Sequence, residues 1–204
     1  MVYKYDMFIS YRRDDETRRW LNTHLIPLLG LHVGQSLGRK VRIFVDDQLE
    51  TGILWPAALG KTLGQSRVLV PLWAKDYLAS KWCHAELNAM WARQKAMLAA
   101  AAAPPKLRSL ILPFVIHDGE SMPKDIAMVQ LLKIQDCFNV RMAIDSPRAE
   151  ALASLVQDHA DDVARAINAA PSWQSSWVAA AAADFDITFR QGRQGQRKPP
   201  RFGD

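Results

Sequence analysis

The stretch Ser80–Leu87, SKWCHAEL, places a carboxylate four residues after an indole, just where a helical pattern begins. On a helix, Trp82 and Glu86 share one face, one turn apart. On a solvated face Trp82 is an odd neighbour, and in a core Glu86 is costly. The third setting is a cleft, where an aromatic wall and a fixed carboxylate act together. Cys83 and His84 sit inside the same stretch, but adjacent helical positions diverge by about 100° and chelate one metal poorly. No second Cys/His pair has suitable spacing, and no motif supports a Cys–His nucleophile.

A second stretch is a decoy. Trp55–Thr62, WPAALGKT, nearly spells a phosphate-binding loop, but Trp55 stands where such a loop needs its first glycine. Pro56 as the first residue of a short helix explains the segment better. Asp46 and Asp47, closing the apolar run before it, suit the shaping of a loop more than the binding of a metal. The histidines His24, His32, His117 and His159 are scattered, and each is read as structural.

Short apolar runs alternate with helical patterns along the chain, the signature of a parallel sheet with crossover helices. The strands are expected at Met7–Tyr11, Val41–Asp47, Arg67–Trp73 and Ser109–Ile116, with a weaker helix and strand within Lys124–Gln135. Between them lies an amphipathic stretch with Trp20, Leu21, Leu25, Leu28 and Leu29, which Pro27 should kink or shorten. Ser80 can cap a long helix that Pro104 and Pro105 end, and Ser146 with Pro147 opens a last one. The expected architecture is a flavodoxin-like α/β sandwich, a five-stranded parallel sheet with helices on both faces. Ligands of such sheets bind beyond the carboxyl ends of the strands, here Ser10–Asp15, Asp46–Trp55, Trp73–Glu86 and His117–Gly119. That placement favours the cleft.

The 204 residues suit one domain, and 49% hydrophobic with 23% charged residues is an ordinary globular balance. Of the net charge of +5, +4 falls in residues 190–204, so basicity belongs to a tail and argues against nucleic acid as a partner. Two cysteines make no disulfide framework, no apolar run approaches the roughly 18 residues of a membrane span, and no leader-like segment opens the chain. A cytoplasmic location is expected. The divisions expected are a domain over 1–170, an extension over 171–189, and a disordered basic tail over 190–204.

Three ordered motifs resemble those of Toll/interleukin-1 receptor (TIR) domains: YDMFISYRRDD at the first strand, FVDDQLETGILWPAAL at the second strand and following BB loop, and RVLVPLWAKDYLASKWCHAEL at the third. The resemblance spans roughly residues 1–168. It implies one of two uses: an adaptor that assembles signalling complexes, or an enzyme that cleaves NAD at the nicotinamide–ribose bond, as in bacterial stand-alone immune proteins of anti-phage defence. In the enzymatic branch the third-motif glutamate is catalytic, which by position is Glu86. Substrate contact is implied for Phe8, Ser10, Tyr11, Arg12, Arg13, Asp46, Trp55, Trp82 and Cys83, with NAD as substrate, no cofactor and no metal. Self-association through TIR surfaces and a separate effector answering the product are also implied. The apolar loop Gln48–Trp55 reads as a contact surface or a lid. If Trp55, Trp73 and Trp82 all line the cleft they exclude water, which favours a modified ADP-ribose signal over plain hydrolysis.

Overall fold

The computed structural model describes residues 3–45, 55–100, 109–119, 122, 132–183 and 185, with backbone alone at 55–57 and 100. Five strands, β1 (Tyr5–Ser10), β2 (Ile43–Val45), β3 (Ser66–Trp73), β4 (Phe114–Val115) and β5 (Leu132–Lys133), form one parallel sheet in the order β2-β1-β3-β4-β5. This is the doubly wound order expected from the alternating pattern, with the crossing point beside β1. Asp46, Asp47 and the loop up to residue 54 lie outside the described residues, as do residues 123–131 and the tail over 190–204.

Side chains alternate along the central strands and so build two cores. Met7 and Ile9 of β1 join Val68, Val70 and Leu72 of β3 on one face; Phe8 joins Leu69 and Trp73 on the other. A helical run over residues 15–37 (α1) and helix α4 (Pro147–Ala169) cover the first face. The second is covered by α2 (Trp55–Gly64) and α3 (Lys81–Ala100). Trp20, Leu21, Leu25, Leu29 and Val33 of α1 are all buried, each worth about 1.5–3 kcal/mol of transfer free energy.

Pro27 neither ends α1 nor shortens it. The run passes through the proline by widening into π-helical turns at Leu21–Leu25 and Leu29–Val33, with the Ile26 N–H reaching back five residues to the Leu21 carbonyl. The wider turns give room to a ring that would crowd the carbonyl four residues earlier. Ser80 and Ser146 do cap their helices: their Oγ atoms accept from the Cys83 N–H at 3.4 Å and the Ala149 N–H at 3.2 Å.

The amino edge of the sheet is held by charge. Asp6 of β1 is fully buried and accepts from Arg39 at 2.7 and 2.9 Å and from the Arg42 backbone at 2.9 Å, with the Arg67 Nε 3.4 Å away. Burial alone would raise the Asp6 pKa, but the hydrogen bonds from Arg39 and Arg42 outweigh it and hold the carboxyl far below its usual range.

Sequence periodicity fades beyond Pro171, yet residues 176–183 form a helix (α5) seated on α2 and α3. A Cβ at Gly64 would come within 2.7 Å of the Val178 Cα, and one at Gly60 within 2.9 Å of the Ala182 Cα. The glycine pair therefore serves close helix approach, which is what the phosphate-loop look-alike is for. Thr62 of that segment donates to the Ala58 carbonyl at 2.9 Å, an ordinary helix-internal bond. Ala181 and Phe185 are buried in the second core.

Candidate functional site

The carboxyl ends of β1, β3 and β4 meet at two adjoining cavities. The first, about 400 Å³, is lined by Tyr11, Arg12 and Arg13 after β1 and by Ala79, Ser80, Lys81 and Trp82 at the start of α3. The second, about 390 Å³, lies on the β4 side, where Lys75, Asp76, His117 and Asp118 join Tyr11 and Arg12. Arg12 lines both, and its ion pair with Asp76 stands at their boundary.

Backbone geometry explains how these groups converge. Ser10, the last residue of β1, is fully buried, and its Oγ lies 2.6 Å from the Tyr77 hydroxyl. That bond ties the strand to the 3-10 turn Tyr77–Ala79 that launches α3, where the Trp73 and Tyr77 rings are tilted against each other with centres 5.3 Å apart. Ser10 thus orients the turn and is not itself a wall of either cavity. Asp14 caps the next helix by accepting from the Thr17 N–H at 2.7 Å, which bends the chain away from β1 and leaves Arg12 and Arg13 at the opening.

The remaining expected residues divide. Tyr11, Arg12, Arg13 and Trp82 are brought together at the first cavity. Phe8 is a core residue against Phe44, with ring centres 5.0 Å apart, because alternation along β1 turns it under the sheet. Cys83 is buried in the same core, whereas the next residue, His84, faces solvent 3.3 Å from the Asn88 amide; the two diverge as their spacing requires. Trp73 is buried among core residues, so it does not line the cleft. Asp46 and the Trp55 side chain lie outside the described residues.

Glu86 is fully buried. It sits one helical turn below Trp82 on α3, about 6 Å deeper along the axis at 1.5 Å per residue. Neither cavity reaches it in this arrangement. The indole therefore stands at the cavity wall and the carboxylate beneath it.

On the β4 side the sequence placed His117–Gly119 at the ligand-binding edge but read His117 as structural and assigned no site role there. Asp118 adopts φ 47°, a left-handed conformation rare for a residue with a side chain, and its Oδ2 is 2.8 Å from the His117 Nδ1. The available signal was position: both follow directly on a strand's carboxyl end. Among the described residues no three His, Cys, Asp or Glu side chains gather as a metal site, and no helix is long and apolar enough to cross a membrane.

Comparison with known proteins bears on this geometry. The chain is 31% identical over 86 residues to the TMV resistance protein N of Nicotiana glutinosa, covering 42% of this chain and 7% of that protein. It is 35% identical over 91 residues to the disease resistance protein RPV1 of Vitis rotundifolia, covering 45% of this chain and 6% of that protein. It therefore spans less than a tenth of the length of these relatives. Among solved structures, the TIR domains of the activated Roq1 resistosome align with 95% of this chain and 92% of theirs at 17% identity, with a TM-score of 0.39, a likeness too slight to carry an argument. The TIR domain family model matches residues 7–156, from the middle of β1 into α4, and so takes in the sheet apart from the first two residues of β1, together with both cavities: this chain belongs to the TIR domain family.

Proposed function

We propose that this TIR domain cleaves the nicotinamide–ribose bond of NAD, with Glu86 as the carboxylate that opposes the ribosyl cation. The observation that carries the reading is the stacking of Glu86 one turn beneath Trp82, at a cavity that also presents Arg12 and Arg13. Nicotinamide in NAD is already a cationic leaving group and departs without a general acid. The ribose then gathers positive charge, as in glycoside hydrolysis, and a fixed carboxylate in a low-dielectric site stabilises it. Trp82 supplies the apolar wall. Arg13 is placed to meet a pyrophosphate, and Arg12 can exchange Asp76 for one, since an exposed ion pair holds it by only about 0–1 kcal/mol. The full burial of Glu86 means that the described arrangement is a closed one: the turn at Trp82 must shift before ribose reaches the carboxylate.

That closure also supports a second reading, a non-catalytic TIR adaptor acting through TIR–TIR contacts, for which a buried Glu86 needs no access. The names of the plant relatives support a role in defence signalling under either reading. Chromatography of NAD after incubation with the purified protein, alone and at crowding concentrations, separates the two. Nicotinamide release supports the enzyme, and intact NAD under both conditions supports the adaptor. With Trp73 in the core, the argument for excluding water from the cleft rests on Trp82 among the described tryptophans. The proposal is accordingly nicotinamide release, and mass spectrometry in cell extract distinguishes ADP-ribose from a cyclic or conjugated form.

A further inference from the structure

Helix α3 carries Glu86 near its start and Arg93 seven residues on, two turns along the same face. Arg93 is buried with 8% exposure, and its partners lie on other parts of the chain. Its Nη1 donates to the Ser66 carbonyl at the start of β3 at 2.8 Å, and its Nη2 donates to the Tyr3 hydroxyl. Its guanidinium lies 3.8 Å from the ring centre of Trp177, at the head of α5. Tyr3 in turn donates to the Pro171 carbonyl at 2.7 Å, and the Trp173 Nε1 donates to the Gly64 carbonyl at 3.1 Å. Residues 171–183 with Phe185 therefore form a strap. It is fastened at Arg93, seated on the two glycines of α2, and closed by the fully buried Phe185 in the core that holds Cys83 and Leu87. The matched family range ends at residue 156, so the strap lies beyond it.

Apolar packing is non-directional and lets a helix slide or roll against its neighbours. A guanidinium fork bonded to two elements and stacked on an indole is directional, and it fixes both the axial setting and the rotation of the helix that bears it. We propose that Arg93, capped by Trp177 of the C-terminal strap, is a positioning residue for Glu86, so that the strap sets the placement of the carboxylate from two turns along α3. The proposal rests on the NAD-cleaving reading for its catalytic consequence, but not for the mechanical coupling.

The two buried cysteines make the coupling measurable. Cys83 is on the first turn of α3 in the core under the strap, and Cys137 is in the core on the opposite face of the sheet. Full-length Arg93→Gln, Trp177→Ala and Trp177→Phe are compared with the native protein for alkylation of each cysteine by N-ethylmaleimide, resolved by peptide mass spectrometry, and for kcat and KM on NAD. In Arg93→Gln and Trp177→Ala, Cys83 is expected to react at least ~10-fold faster through local opening of α3, with Cys137 unchanged. Trp177→Phe keeps the stacking and stays near the native rate. Alongside, kcat falls in the first two variants with KM unchanged. Native labelling of Cys83 in both, equal acceleration of the two cysteines, or an unchanged kcat with Cys83 exposed each overturns the proposal. If the native protein releases no nicotinamide, the NAD reading fails alone, and the cysteine rates still decide whether Arg93 holds α3.

Discussion

Among the described residues two carboxylates are fully buried, one at each end of the sheet, and their surroundings differ. Asp6 at the amino edge is surrounded by Arg39, Arg42 and Arg67, which join β1 to the entry of β2 and to β3. Glu86 near the carboxyl edge lies on a helix whose neighbouring residues Cys83, Ala85, Leu87 and Met90 pack in the apolar core. A buried carboxylate ringed by guanidinium groups is a fastening, since its charge is matched where it stands. Glu86 instead lies one turn below Trp82, which lines a cavity that also presents Arg12 and Arg13. The amino edge is tied together by ion pairs, and the carboxyl edge carries the two cavities to which the proposed chemistry belongs.

The sharpest way to break this comparison is to neutralise each carboxylate in turn. Glu86→Gln is expected to lower NAD turnover at least ~100-fold, the scale of losing one preorganised electrostatic group, while the melting temperature is retained. Turnover equal to the native protein's would remove Glu86 from the chemistry. Asp6→Asn is expected to do the reverse and destabilise the fold by about 3 kcal/mol, at the low end for breaking a buried pair. The low end applies because the Arg39 and Arg42 side chains are 40% and 43% exposed and can turn to water.

Asp6 also gives the fold a pH dependence. Because the folded-state pKa of Asp6 is depressed, its contribution is present above the unfolded value of about 4 and is lost as pH falls towards the folded value. Thermal melts of the native protein should therefore weaken below about pH 4, and those of Asp6→Asn should weaken less steeply. Parallel pH profiles would show that the arginines do not hold Asp6 ionised.

Glycines sharpen the comparison on a smaller scale. Gly64→Ala drives a Cβ into the backbone of Val178 and Trp177, and is expected to destabilise by roughly 1–3 kcal/mol in denaturant melts. Gly30→Ala, on α1 with nothing within 4 Å of the added carbon, should stabilise by up to about 1 kcal/mol. Equal signs would mean that α5 is not seated on Gly64. Smallest of all, Asp76→Asn removes an exposed partner of Arg12 and should shift stability by less than about 1 kcal/mol. Its effect belongs in the KM for NAD, because Arg12 is released at the boundary of the two cavities.

Much of the architecture was legible because its signals are local. Ser80 and Ser146 were readable as caps, and the alternating strands as a doubly wound sheet, since each depends on a few consecutive residues. Tyr11, Arg12, Arg13 and Trp82, which the family resemblance named and strand ends located, do converge at one cavity. Pro27 misled because its effect depends on whether neighbouring turns can widen, which α1 does at Leu21–Leu25 and Leu29–Val33. The helix at 176–183 was read only as part of an extension over 171–189, because a helix of small residues shows its purpose only beside the glycines it packs on.

By itself, then, the sequence determined the order of strands and helices, the edge at which the strands' carboxyl ends gather, and the pairing of Trp82 with Glu86 on one helix face. These are consequences of chain periodicity and of a parallel sheet's single polarity. Tertiary structure alone decided that Asp6 is fastened to Arg39 across 33 residues, that Tyr3 reaches Pro171 across 168, that Trp73 and Phe8 turn into the core, and that Glu86 lies sealed below its indole. Each of these depends on which distant element covers a side chain. Burial and hydrogen bonding are properties of the assembled neighbours, so no local stretch of residues encodes them.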